Sequence, residues 1–73
     1  VKIRLIGYIA EVFGYREKTV NIEKPVRIEE LFSFPNNMDK ERLIILINGT
    51  PATLKSKVLD KDEIMIMQMV GGG

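Results

Sequence analysis
Ile64-Met65-Ile66-Met67-Gln68-Met69-Val70, running straight into Gly71-Gly72-Gly73, decides how this chain is read. Side chains of a strand alternate between two faces, so Ile64 and Ile66 point one way and Met65 and Met67 the other. Both sets are apolar in this last strand, Ile64 to Val70. Leu43-Ile44-Ile45-Leu46-Ile47 has the same two-sided apolar character and predicts a strong third strand. A single helix covers only one face of such a sheet. The face assigned to the core carries Ile3, Leu5, Ile45, Ile47, Ile64 and Ile66. Ile44, Leu46, Met65 and Met67 are then left as an exposed apolar patch, a candidate partner-binding site. Methionine suits such a surface because it is flexible and polarisable. A dimer interface or ordinary scattered exposure also accounts for a patch of this kind.

Working outward, Val1, Ile3 and Leu5 alternate with Lys2 and Arg4, which predicts a first strand ended by Gly7. Ile9, Val12 and Phe13 fall at helical spacing, and Gly14 supplies a stop. Alternation returns from Lys18, with Val20 and Ile22 on one side, and ends at Lys24-Pro25. Ile28, Leu31 and Phe32 predict a short amphipathic helix closed by Phe34-Pro35-Asn36-Asn37. Asn48-Gly49 is the strongest turn signal, because both residues tolerate positive φ. Leu54 and Val58-Leu59 read as a short edge piece, and Asp60-Lys61-Asp62 as a polar turn. The order strand, strand, helix, strand, edge piece, strand predicts an α+β fold of the β-grasp type. It would be a mixed four- to five-stranded sheet, first and last strands adjacent and parallel, with one main short helix on one face. The expected domain spans 1–70, followed by a flexible glycine tail at 71–73.

Composition narrows the function. Seventy-three residues make one domain, and a chain this short buries only about 60% of its unfolded surface, leaving little for a deep substrate pocket. No cysteine or histidine is present. Thiolate catalysis, Cys-based metal sites and the usual general base near neutral pH are therefore excluded. Eleven basic and ten acidic side chains are spread without blocks, so no nucleic-acid surface is expected. The longest apolar run, Leu43 to Ile47, is far short of the ~20 residues that cross a bilayer. No signal peptide is visible, and a soluble cytoplasmic protein is the expectation. Asp60, Asp62 and Glu63 read as a solvated turn rather than a metal or acid/base cluster. Lys55, Lys57 and Lys61 read as a solvated edge.

The glycine tail can extend into a channel too narrow for side chains. A frayed terminus or an added linker looks the same on these three residues alone. Their context carries more. Leu59-Asp60-Lys61-Asp62-Glu63-Ile64, an apolar strand, then Val70-Gly71-Gly72-Gly73 resembles the C-terminal signature of ubiquitin-like sulfur carriers. Those include the small subunit of molybdopterin synthase, the thiamine-biosynthesis sulfur carrier and the archaeal small modifiers. In that family the pattern reads Leu-x-Asp-Gly-Asp-Glu, an apolar strand, then Val-Ala-Gly-Gly or Val-Ser-Gly-Gly. Gly71 stands at the Ala or Ser position, which makes Gly72-Gly73 the functional pair. Ile47-Asn48-Gly49 is similar to the family's apolar-Asn-Gly turn, and Gly7 to Gly14 resembles the short helix of the molybdopterin-synthase type. Two departures leave the pathway open. Ile66-Met67-Gln68-Met69 replaces Phe-Phe-Pro-Pro, and Arg27 to Arg42 is about one helical turn short.

The resemblance implies a carrier that holds no cofactor and no metal and is not itself an enzyme. An adenylating partner of the ubiquitin-activating type would use ATP to activate Gly73. Sulfide or a persulfide would then give a thiocarboxylate for a sulfur acceptor or the large subunit of a synthase. Molybdopterin-type cofactor synthesis, thiamine synthesis and tRNA thiolation are the pathways implied, and target-protein lysines are the alternative acceptors, giving conjugation. A β-grasp binding module that is never conjugated is the rival reading.

Overall fold
The computed structural model describes residues 1–69; Val70 and the expected tail at 71–73 lie outside the described residues. β1 (Lys2–Ile6) leads through Gly7 into α1 (Tyr8–Phe13). Gly14 ends the helix in the left-handed region, at φ 82°, where its N–H donates to the Ala10 carbonyl. β2 (Glu17–Thr19) returns antiparallel to β1, with Arg4 opposite Glu17. β3 (Val26–Arg27) follows, and a loop region leads to β4 (Leu43–Ile47), β5 (Thr50–Ala52), β6 (Lys57–Val58) and β7 (Glu63–Gln68). The main sheet has the order β2-β1-β7-β4-β5, and β3 and β6 form a separate two-stranded ribbon. As expected, β1 and β7 are adjacent and parallel, and β4 runs antiparallel to β7. The apolar runs on both faces of β4 and β7 follow from these central positions.

The assigned core face is correct. Ile3, Leu5, Ile45, Ile64 and Ile66 are buried with Val1, Ile9, Ala10, Ile28 and Val58, and Ile47 packs half-buried at the margin. Asn48 and Gly49 sit at φ 50° and 83°, the pair of left-handed residues that a tight hairpin twist requires. The hairpin pairs β4 with β5, a strand the alternation pattern did not reveal because Pro51 interrupts it.

Four local expectations are corrected. The second strand ends at Thr19 rather than continuing through Ile22. Val20 still donates to the Val1 carbonyl, but the Ile22 N–H is taken by an Asp60 carboxylate oxygen at 2.9 Å. The stripe Ile28, Leu31, Phe32 forms one 3₁₀ turn, Ile28–Leu31, and the backbone is extended again at Phe32. Among the described residues, the α-helix is the one between the first two strands. The edge piece proves to be β6, paired with β3 rather than with the main sheet. Finally, β7 begins at Glu63 and ends at Gln68, with Met69 already outside it.

Aromatic packing fills the space beside this short 3₁₀ turn. Phe13 at the end of α1 meets Phe32 and Phe34 edge-on, with ring centroids 5.6 and 5.5 Å apart. Lys40–Arg42 forms a further 3₁₀ turn, started by Asp39, whose carboxylate accepts from the Glu41 N–H. Among the described residues, no helix is long and apolar enough to cross a membrane.

Candidate functional site
Pairing register decides which side chains share the face turned away from α1. Ile44 lies opposite Met67, and Leu46 opposite Met65. On the other side of β7, Met67 lies beside Ile6 and Met65 beside Arg4. In-register residues point to the same face, so Ile6, Met67 and Ile44 form a continuous apolar row across three strands. A second row runs Arg4, Met65, Leu46, Pro51. None of Ile6, Ile44, Leu46, Met65 and Met67 enters the buried cluster, to which α1 and the 3₁₀ turn at Ile28 contribute from the opposite side.

All four patch residues named from the sequence are thus brought together on one face. Ile44 is 37% exposed, whereas Leu46, Met65 and Met67 are only half-buried rather than fully exposed. Their flanks are covered by cross-strand neighbours in the sheet's centre, which no periodicity argument measures. Sequence reasoning missed Ile6, 44% exposed at the end of β1. The signal was available: Ile6 continues the outward series Lys2, Arg4. Met69, exposed just beyond β7, adds apolar surface at the same end. The face is therefore apolar toward the C-terminal end of β7 and polar toward its start. Arg4 closes one flank through an ion pair with Glu17, Nε to Oε1 3.1 Å.

The acidic turn holds the sheet together locally. Asp62 accepts from the Leu59 N–H at 2.7 Å and from the Asn48 side-chain amide at 2.9 Å. Asn48 in turn accepts from the Glu63 N–H at 3.0 Å, and its own N–H donates to the Glu63 carbonyl. The β4–β5 turn is thereby clamped to the start of β7. Among the described residues, no three His, Cys, Asp or Glu side chains are placed to hold a metal ion. Lys55, Lys57 and Lys61 are exposed.

The hydrogen bond from Leu59, followed by that from Asn48, holds the Asp62 carboxyl below the usual carboxylate range. A carboxylate whose pKa is lower folded than unfolded stabilises the fold above its unfolded value, about 4, and loses that contribution as pH falls through the folded one. Asp62→Asn should therefore lower the urea midpoint at neutral pH, with the gap to wild type narrowing as pH falls below about 4. A gap of constant size across that range would show that the charge of Asp62 contributes nothing.

The ThiS family matches residues 3–73, a stretch that includes Gly71, Gly72 and Gly73. This chain belongs to the ThiS family. It is accordingly a member of the ubiquitin-like sulfur carrier family that the C-terminal pattern indicated. The crystal structure of SAMP1 from Haloferax volcanii superposes with a TM-score of 0.76 at 21% identity, covering 99% of this chain and 97% of that one. At that identity the likeness bears on the fold, and it agrees with the β-grasp sheet order of this ThiS-family chain. No curated protein matches the chain in sequence. The terminal glycines expected to react, Gly72 and Gly73, and Gly71 before them lie outside the described residues.

Proposed function
We propose that this ThiS-family protein is a cytoplasmic sulfur carrier whose Gly73 carboxylate is activated by an adenylating enzyme of the ubiquitin-activating type. The family match that runs through Gly73 carries this reading. A carboxylate oxygen attacks the α-phosphorus of ATP held by the partner, giving the acyl-adenylate and pyrophosphate. Sulfide then attacks the acyl carbon, AMP leaves with the bonding electrons, and a thiocarboxylate results. That sulfur serves molybdopterin-type cofactor synthesis or tRNA thiolation. A lysine amine attacking the same carbon releases AMP and forms an isopeptide bond, which is the conjugation branch. The carrier contributes no catalytic side chain, in keeping with the absence of His and Cys from its sequence.

The outer face supports a docking role. Ile44, Leu46, Met65 and Met67, extended by Ile6, place apolar surface on the part of the sheet nearest the end of β7. A partner seated there would receive the chain end directly. The reading is tested by intact-mass measurement after incubation with the adenylating enzyme, ATP and sulfide. Exchange of one oxygen for sulfur at the C-terminus is the expected result, and an unchanged mass would favour the unconjugated binding module.

Met67→Asp separates docking from chemistry. Met67 lies at the centre of the apolar row, outside the buried cluster, so the variant should still fold. In a complex the new charge would be desolvated against an apolar partner without a counter-ion. Affinity for the adenylating enzyme is expected to fall at least about tenfold, ~1.4 kcal/mol. A competition assay with the folded variant checks this, and unchanged affinity would move the docking surface elsewhere.

A further inference from the structure
The polar end of the outer face contains a carboxylate without a partner among the described residues. Leu46, Asn48, Gly49, Glu63 and Met65 line a cleft of about 340 Å³ where the β4–β5 turn meets the start of β7. Leu46 and Met65 lie opposite each other and form its apolar part. Both ends of the Asn48 amide are occupied, one by Asp62 and the other by the Glu63 N–H. The Asp62 carboxylate is occupied too, by Asn48 and by the Leu59 N–H. Glu63 is half-buried, yet among the described residues its carboxylate accepts no hydrogen bond and joins no ion pair. Lys2, its in-register neighbour on β1, is exposed and forms no ion pair with it, and Arg4 is committed to Glu17.

We propose that this cleft receives an arginine side chain of the adenylating partner, its methylenes on Leu46 and Met65 and its guanidinium on the Glu63 carboxylate. The proposal rests on reading the outer face as the docking surface. An apolar slot ending in a carboxylate with free lone pairs matches a side chain that is apolar along its stem and cationic at its tip. A guanidinium can satisfy both carboxylate oxygens at once in fork-to-fork geometry, which an ammonium cannot. The contact would sit at the far end of the face from the apolar row Ile6, Met67, Ile44 and so fix the rotation of the carrier on its partner, a task nondirectional apolar contact performs poorly. The two contacts together would align the chain end with the partner's nucleotide site.

Glu63→Gln tests this, because it removes the charge while the backbone N–H and carbonyl that bracket Asn48 stay in place. The variant should keep the wild-type urea midpoint. Binding to the adenylating enzyme of the same organism, measured at low ionic strength, should weaken about tenfold. The difference should shrink as salt is raised, since screening weakens the charged contact in wild type alone. Equal affinity of Glu63→Gln and wild type at low salt would overturn the arginine slot while leaving the carrier reading standing. Failure of the wild-type protein to bind or be adenylated would overturn the carrier reading, and the slot with it.

Discussion

Ile66→Ala is expected to destabilise the domain by about 2–5 kcal/mol. Ile66 is wholly buried at the middle of β7, the strand held between β1 and β4. Its in-register neighbours are Leu5 on one side and Ile45 on the other, both in the core. Truncation removes apolar area and leaves a cavity. Strands on both sides of β7 cannot close that cavity without breaking their ladders, so collapse offers little relief. A domain of this length holds on the order of 4–10 kcal/mol in total. The substitution therefore removes a large share of it. Chemical denaturation should show a lower midpoint with an unchanged slope. A midpoint equal to wild type would mean that β7 turns its other face to the core. Met67→Ala, on that other face, should cost far less.

Removal of Gly72-Gly73 is expected to have the opposite profile. The buried cluster, the sheet ladders and the Asn48–Asp62 clamp are all made within residues 1–69. The melting curve should therefore be almost unchanged. Activation should disappear altogether, because the shortened chain would present its carboxylate two residues, about 7 Å, short of the partner's nucleotide site. Intact-mass analysis after incubation with the adenylating enzyme and ATP decides the matter. An adenylate or thiocarboxylate on the truncated protein would defeat the proposed chemistry. Retained binding of the truncated protein with no mass gain would be the expected pattern, since the outer face remains.

The fold was legible where one physical signal dominated. Strands β1, β4 and β7 announce themselves because alternation and two-sided apolarity reflect burial directly, and burial in a parallel or central strand leaves little room for polar residues. Asn48-Gly49 announces the hairpin because few residue types accept the backbone angles found there. The helix assignment shifted because a stripe of apolar residues does not specify its own length. Ile28, Leu31 and Phe32 satisfy a helical spacing over one turn, and the backbone is extended again at Phe32. β5 escaped notice because Pro51 breaks its pattern, although Pro51 sits on an edge strand where proline is tolerated.

For the candidate site the same division holds. Residue order along Leu43–Ile47 and Ile64–Met67 determined by itself which side chains share a face, since the period of a strand is two. It also determined that the chain supplies no His or Cys for catalysis, and it carries the pattern that ends in Gly72-Gly73. The tertiary structure alone decided that the outward-facing Ile6 lies beside Met67, because that depends on the register of β1 against β7. Only it decided which acids are spent and which has no partner among the described residues. Asp60, Asp62 and Glu63 are equivalent in sequence, yet hydrogen bonds from Ile22, Leu59 and Asn48 occupy the first two and leave the third. Those donors stand 38, 3 and 14 residues away along the chain, and two of the three contacts exist only because packing of the sheet brings distant backbone together.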